Sequence, residues 1–143
     1  QIKSTNFLNN ILAKRESIAA GTFDSLFLNW KDELTECTVS NLFFISGKTL
    51  HTPALDCGIL DGITRTIVMT LAQEEGVPVR EGHYHLADLQ RAEECFLTNT
   101  SMEIMPVNRV DSFAIGDGRP GSLTRRLQTR FTDSRTRFLE PPS

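Results

Sequence analysis

The stretch GILDGITR occupies residues 58–65 and is followed by apolar residues at helical spacing as far as Ala72. The pattern predicts a helix that begins at Gly62 and closes before Gly76, a residue type that commonly ends helices. The first turn of a helix has unpaired N–H groups and a positive dipole end, so it can hold a phosphate. The Thr64 hydroxyl is a further donor there, and an ordinary helix start is the alternative.

Outside this stretch, short β-like runs and helices follow one another without strict alternation. The predicted strands are Ser25–Asn29, Asn41–Ile45, Thr49–Thr52, Val77–Arg80, Cys95–Thr98, Glu103–Val107 and Arg109–Ala114. The other predicted helices are Asn6–Ala20, Leu86–Ala92 and Leu123–Phe131. This order predicts an α+β or mixed α/β fold.

The composition is that of one ordinary globular domain. The 143 residues include 39% apolar and 23% charged residues, which excludes disordered and collagen-like chains. The net charge of −3 gives no indication of a nucleic-acid partner, which would need a basic excess. No apolar run is long enough for a membrane span, and the first residues are polar and lack the apolar segment of a signal peptide, so we expect neither. We therefore expect a cytoplasmic protein that binds neither nucleic acid nor membrane.

The cysteines and histidines do not match a disulfide framework or a zinc motif. Cys37, Cys57 and Cys95 are odd in number and widely spaced, which favours free thiols in a reducing compartment. His83 and His85 fit one face of a strand, but no further ligand lies at a typical spacing. The sequence therefore predicts no metal site.

Three further segments have residue types that suit chemistry. The run 97–101 places hydroxyl and amide side chains after an apolar strand, as in an anion site or a plain turn. Glu36 is a lone carboxylate at a strand end, either solvated or buried beside a cation. Lys3 is either an ordinary solvated lysine or a nucleophile whose pKa is lowered by its surroundings.

The order and spacing of these segments resemble the class IV aminotransferases, which are fold-type IV pyridoxal-phosphate enzymes. This family includes branched-chain aminotransferase, D-amino acid aminotransferase and 4-amino-4-deoxychorismate lyase. The resemblance extends from Gln1 to about Phe131. Its blocks are residues 2–4 with Asn6, 9–14, 35–36, 41–43, 52–53, 58–65, 92–98, 103–107 and 116–121 with Thr124.

The resemblance implies a fold and a domain organisation. Residues 1–134 would form the large C-terminal, pyridoxal-phosphate-binding domain of the D-amino acid aminotransferase-like fold, a mixed sheet or barrel with flanking helices. Residues 135–143 would form a tail. The family's smaller N-terminal domain, which completes the site, is absent from this sequence. Family members are homodimers in which each active site borrows a loop from the neighbour, so we expect a homodimer.

The resemblance also assigns the catalytic and ring-binding residues. Lys3 matches the lysine that forms the internal aldimine with pyridoxal phosphate and then moves the substrate proton. Glu36 matches the glutamate that pairs with the pyridine nitrogen, and Leu60 matches the leucine packed against the ring. A carboxylate in that position keeps the ring nitrogen protonated, so that the ring acts as an electron sink.

The phosphate and substrate residues follow from two other segments. Ile63 and Thr64, with Gly62 at the helix start, match the phosphate donors. Asn99 and Thr100 match a second cofactor-binding segment, and Thr100 with Ser101 resembles the turn that meets the substrate carboxylate. The family usually has Gly or Ser at the place of Asn99, so the substrate is not fixed by the resemblance.

Three functions follow from the resemblance. The first is a transaminase that exchanges amine and keto acid between small-molecule substrates of the branched-chain or D-amino acid type. The second is a 4-amino-4-deoxychorismate lyase that releases pyruvate in folate synthesis, which Asn99 and Cys37 favour. The third is a family-derived domain without activity.

Overall fold

The computed structural model describes residues 26–37, 40–59, 62–100, 103–110 and 113–138. The predicted helix Asn6–Ala20 and the predicted site residues Lys3, Leu60 and Ser101 lie outside the described residues.

The described residues form a seven-stranded sheet, a two-stranded sheet and several helices. The large sheet consists of β1 (Leu26–Leu28), β2 (Leu34–Cys37), β3 (Ser40–Ser46), β4 (Thr49–Pro53), β5 (Val79–Gly82), β6 (Glu94–Asn99) and β7 (Glu103–Pro106). The small sheet consists of β8 (Arg109–Val110) and β9 (Phe113–Ala114). The helices are α1 (Ile63–Glu74), α2 (Leu86–Gln90), α3 (Ser122–Asp133) and α4 (Arg135–Phe138), with a short 3₁₀ helix at Leu55–Cys57.

Strand β3 is the centre of the large sheet. It pairs antiparallel with β6, with β2 near its beginning and with β4 near its end. Strand β5 joins β4 in parallel, and β7 joins β6 antiparallel. The mixture of parallel and antiparallel pairs with flanking helices confirms the predicted α+β class.

Each face of the sheet packs against its own hydrophobic core. Side chains alternate between the two faces of each strand, so neighbouring residues belong to different cores. Phe43 and Ile45 of β3 belong to the core formed with α1 and α3, in which Phe43 stacks on Phe96 at 5.1 Å between ring centroids. Leu42 and Phe44 belong to a second core that includes Leu89 of α2 on the other face. Asn41 and Thr98 follow the alternation of Phe43 and Phe96, so they lie on the side of α1 and α3.

Most predicted elements lie within a few residues of the observed ones. Strand β2 was not predicted, because the sequence LTEC has little apolar alternation and the strand forms by pairing with β3. The predicted strand Arg109–Ala114 is instead the hairpin of β8 and β9. The residues predicted as a tail begin with α4, where Arg135 and Arg137 form ion pairs with Glu103 and Glu74.

Across the part of the chain that the structure describes, no helix is both long and apolar enough to cross a membrane.

Candidate active site

A row of three polar side chains crosses the sheet beneath the N-terminus of α1. Glu36 lies opposite Asn41 in the ladder of β2 and β3, and Asn41 lies opposite Thr98 in the ladder of β3 and β6. Directly opposed residues of antiparallel strands have Cβ atoms roughly 4.5–5.5 Å apart, so neighbours in this row can contact the same ligand. Asn41 and Thr98 are buried, and Glu36 is half-buried.

The first turn of α1 lies against this row because residue 62 is glycine. Gly62 is the N-cap, in an extended conformation that any residue adopts. A Cβ atom at Gly62 would lie 2.5 Å from Oδ1 of Asn41, which is closer than non-bonded atoms approach. The absence of a side chain therefore brings the helix terminus onto β3.

The N-terminus of α1 has the properties of an anion-binding site. Its N-cap provides no side-chain hydrogen bond, and its first turn contains no acidic residue. Among the described residues, no carboxylate accepts a hydrogen bond from the backbone N–H of Ile63 or Thr64. The Thr64 side chain is buried at 3% exposure, whereas Ile63 is 69% exposed. Backbone donors at the positive end of a 12-residue helix favour a bound anion such as a phosphate.

Thr98 contributes a buried polar atom that no described residue satisfies. Its Oγ1 is buried and has no hydrogen-bond partner among the described residues, and the whole residue is 1% exposed. Buried polar atoms of folded proteins are normally hydrogen-bonded, so an exception in a row of polar side chains indicates a ligand-binding position. The hydroxyl, the amide of Asn41 and the carboxylate of Glu36 offer donors and acceptors of different kinds along one line.

Arg65 fixes the first turn of α1 from the side. It is 2% exposed, and its Nη2 donates to the carbonyl of Pro53 at 3.1 Å and to Oε1 of Glu81 at 2.7 Å. These bonds join α1 to the ends of the parallel pair β4 and β5. A charged group that is this deeply buried is stable only when paired, so the contacts hold the helix terminus in place.

The predicted site residues that the structure describes fall into two groups. Glu36, Gly62, Ile63 and Thr64 come together around the polar row, as described above. Thr100 is exposed in the turn that follows β6. Asn99 lies on the opposite face of β6 from Thr98, and its Nδ2 donates to Oγ of Ser40 at 3.2 Å.

Sequence reasoning assigned no individual role to Asn41 or Arg65, and it included Thr98 only within the run 97–101. The signal for Thr98 was present, because it follows Phe96 and Leu97 in a predicted strand and alternation places it on the face of Phe96. No local pattern indicates Asn41, whose role follows from its pairing with β2 and β6. The signal for Arg65 is a basic residue among the apolar positions of a helix start.

The chain matches the model of a known family. The family model for class IV amino-transferases matches residues 1–110, and the chain belongs to this family.

Individual relatives have several different names. The D-alanine aminotransferase of Listeria monocytogenes strain 10403S is 38% identical over 136 residues, which cover 95% of this chain and 47% of that protein. A putative branched-chain-amino-acid aminotransferase of Methanocaldococcus jannaschii is 39% identical over 96% of this chain and 48% of its own length. The aminodeoxychorismate lyase of Bacillus subtilis is 35% identical over 90% of this chain and 43% of its own length. The chain thus spans about half the length of these relatives.

Solved structures show the same fold. The branched-chain amino acid aminotransferase of Escherichia coli matches with a TM-score of 0.86 and 34% identity, over 90% of this chain and 42% of that one. Another branched-chain amino acid aminotransferase, determined with pyridoxamine 5′-phosphate, matches with a TM-score of 0.85 and 30% identity. This second match covers 96% of this chain and 44% of that one.

Proposed function

We propose that the protein containing this chain is a pyridoxal-phosphate-dependent aminotransferase that exchanges amine and keto acid. The observation that supports this most directly is the open N-terminus of α1 above a polar row in which the buried Thr98 hydroxyl has no partner among the described residues. An anion site beside a half-buried carboxylate suits a cofactor that has a phosphate at one side and a basic ring nitrogen at another. A relative's structure with pyridoxamine 5′-phosphate also supports the proposal.

In this proposal, each side chain has a defined task. The N–H groups of Ile63 and Thr64 and the Thr64 hydroxyl bind the phosphate, and Thr100 adds a second donor. The Glu36 carboxylate holds the proton on the ring nitrogen by charge-assisted hydrogen bonding. When bound, pyridoxal phosphate supplies an electron sink for the charge that develops at the substrate Cα atom.

The proton transfer and most substrate contacts are assigned to residues outside the described part of the chain. Lys3 is the group that holds the cofactor covalently and then moves a proton from and to the substrate. Its amine needs a lowered pKa for this, which burial or a neighbouring cation provides. Thr100 is proposed to bind the substrate carboxylate together with Ser101, and Leu60 is proposed to pack against the ring.

We also propose a substrate class, partners and a cellular location for this protein. The substrate is an amino acid of the branched-chain or D-amino acid type, as the names of the relatives suggest. Residues beyond this chain complete the site, since the relatives are about twice as long, and a second copy of the protein completes a homodimer. A cytoplasmic location fits Cys57 and Cys95, which are free thiols in the described part of the chain.

A donor panel tests the aminotransferase directly. The full-length protein is given D-alanine or L-branched-chain amino acids with 2-oxoglutarate, and the keto acid formed from each donor is measured. We expect turnover with one class of donor, loss of more than about a thousandfold in Lys3→Ala, and a smaller loss in Glu36→Gln. Turnover that survives Lys3→Ala would contradict the proposal. The proposed homodimer is tested separately, by measuring the molecular mass of the full-length protein in solution.

The runner-up function is an aminodeoxychorismate lyase. It is favoured by the similarity to the Bacillus subtilis lyase and by Asn99, which replaces the family's usual Gly or Ser. The discriminating experiment supplies aminodeoxychorismate without any amino acceptor and measures pyruvate. Release of pyruvate under these conditions would favour the lyase function over the aminotransferase function. Absence of both reactions would favour a domain without activity.

A further inference from the structure

Three potential metal ligands from separate segments meet at the end of the parallel strand pair. Glu33 precedes β2, Cys57 ends the 3₁₀ helix after β4, and His83 follows β5. One ligand atom from each of them lies within 4.8 Å of the other two. Glu33 and Cys57 are buried, whereas the His83 side chain is 44% exposed, so the cluster opens to solvent on one side.

The distances within the cluster approach those of a metal coordination shell. Nδ1 of His83 lies 3.0 Å from Oε2 of Glu33 and 3.5 Å from Sγ of Cys57. Zinc bond lengths of about 2.3 Å to sulfur and about 2.0–2.1 Å to nitrogen or oxygen place tetrahedral ligand atoms roughly 3.3–3.6 Å apart. The His83 nitrogen therefore needs to move only by tenths of an ångström relative to either partner to share one ion with it.

The residues around the cluster orient these ligands. Nδ2 of Asn29 donates to Oε1 of Glu33 at 2.9 Å, which leaves Oε2 directed at His83. The same Nδ2 lies 3.3 Å from the carbonyl oxygen of Cys57, so one amide holds two of the three segments. Oδ1 of Asp56 lies 3.1 Å from Nε2 of His83, on the far side of the ring. A carboxylate on the second nitrogen of a ligating histidine is the usual outer partner in zinc sites.

The geometry points to a Zn²⁺ site formed by Glu33 Oε2, Cys57 Sγ and His83 Nδ1, with a fourth position open to water. A thiolate, an imidazole and a carboxylate form a donor set that suits zinc and excludes magnesium and calcium, which prefer oxygen ligands. The ion joins the segment before β2, the 3₁₀ helix and the end of β5. Its role is to clamp these three segments together.

The site could not be recognised from ligand spacing in the sequence. Glu33 and His83 are 50 residues apart, and Cys57 and His83 are 26 residues apart, so none of the short zinc motifs applies. The neighbouring His85 does not join the cluster, because it is the N-cap of α2. The expectation of no metal site rested on spacing alone, and the fold supplies the proximity.

Equilibrium dialysis of the purified full-length protein against Zn²⁺ tests the site. We expect one Zn²⁺ per chain and a rise in the thermal unfolding midpoint on binding. Cys57→Ser and His83→Ala should each weaken binding at least tenfold. The matched controls are Cys95→Ser, a buried thiol in β6, and His85→Ala, a histidine two residues away at the start of α2. These controls should leave Zn²⁺ binding unchanged.

A spectroscopic readout keeps the test independent of stability. Co²⁺ replaces zinc in such sites, and its bond to a thiolate gives a near-ultraviolet band in the difference spectrum between loaded and metal-free protein. This band should disappear in Cys57→Ser and persist in Cys95→Ser, while Mg²⁺ should not displace Co²⁺. Binding of less than one Zn²⁺ per chain at saturation, or a cobalt band that persists in Cys57→Ser, overturns the assignment.

Discussion

Two helices of equal length, α1 and α3, begin on the same face of the sheet. Their first turns differ in whether a carboxylate of the chain accepts hydrogen bonds from the backbone N–H groups. Each has 12 residues, a glycine N-cap in an extended conformation and no side-chain hydrogen bond from that N-cap. The N–H groups at such a terminus need an acceptor. In α3 the acceptor is a carboxylate of the protein itself, and in α1 no carboxylate among the described residues takes that place.

The carboxylate that caps α3 comes from Glu94 of β6. Its Oε1 accepts hydrogen bonds from the backbone N–H of Thr124 at 2.8 Å and from the Thr124 hydroxyl at 2.7 Å. Its Oε2 accepts from the N–H of Leu123 at 3.3 Å. A Cβ atom at Gly121 would overlap this carboxylate, so the glycine here admits a ligand that belongs to the chain.

On the side of α1, strand β6 has Thr98 in place of a carboxylate. Thr98 lies four residues after Glu94 on the same face of β6, and it presents a buried hydroxyl without a partner among the described residues. An internal carboxylate makes the terminus of α3 structural, because the positive helix end is already neutralised. In the corresponding place β6 has a neutral hydroxyl, so no described carboxylate neutralises the positive end of α1. The comparison thus distinguishes a helix start that the chain itself caps from one that, among the described residues, has no carboxylate cap.

The largest effect is expected from removal of the carboxylate at α3. Glu94→Ala deletes three hydrogen bonds to a charged acceptor and leaves N–H groups of a helix start without a partner. We expect a loss of about 2–3 kcal/mol in the free energy of unfolding, measured by urea denaturation. Glu94→Gln retains the acceptor oxygen and should lose about half as much. Equal losses in the two variants would contradict the charge-assisted cap.

A double-mutant cycle between Gly121 and Glu94 tests why α3 begins with glycine. Gly121→Ala places a methyl group against the Glu94 carboxylate and should cost about 1–3 kcal/mol, since the backbone conformation itself tolerates alanine. In the Glu94→Ala background the same change should cost less than about 0.5 kcal/mol. Additive costs would show that the glycine is needed for another reason.

The conversion of α1 into a helix start like that of α3 should reduce its affinity for phosphate groups. Ile63→Asp places a carboxylate at the first position of α1, where the side chain is largely exposed and contributes little packing. We expect pyridoxal phosphate to bind about tenfold more weakly to this variant, because like charges repel at the helix terminus.

The matched control for this change is Ile63→Asn, which has nearly the same size as the aspartate variant without the charge. Fluorescence titration with pyridoxal phosphate should give less than about a twofold change for Ile63→Asn. The aspartate variant should also unfold at an equal or slightly higher denaturant concentration, since an acidic residue stabilises a helix N-terminus by about 0.3–1 kcal/mol. A tenfold loss in both variants would mean that the isoleucine, and not the charge, governs binding.

The sequence predicts the starts of the two helices to different extents. The start of α1 was predictable, because GILDGITR has both the glycine before the helix and the apolar spacing after it. The start of α3 was predicted within one residue, but the capping carboxylate of Glu94 was not. Glu94 and Thr124 are 30 residues apart, and only the pairing of β6 with β3 places the carboxylate beneath the helix.

The residues of the candidate site also differ in how far the sequence predicts them. Glu36 and the residues of the α1 first turn were assigned through resemblance to a family, in which each short block is weak and their order is informative. Asn41 and Thr98 join them only through the register of β2, β3 and β6, which a single sequence does not specify. Local patterns therefore predicted the elements, and tertiary pairing decided which side chains share the site.

The smallest effect is expected at the opposite ends of the helices, where Glu74 of α1 forms ion pairs with Arg137 of α4 and Arg130 of α3. Hydrogen bonds from Arg137, followed by those from Arg130, lower the pKa of the Glu74 carboxyl below its usual value. A carboxylate with a lowered pKa adds stability above the unfolded-state pKa of about 4.3, and this contribution is lost as the pH falls through the folded-state value. Glu74→Gln should therefore flatten the decline in urea midpoint between about pH 5 and pH 3. Because these groups are partly solvated, high salt should remove most of the difference, and a salt-independent difference would assign Glu74 a packing role.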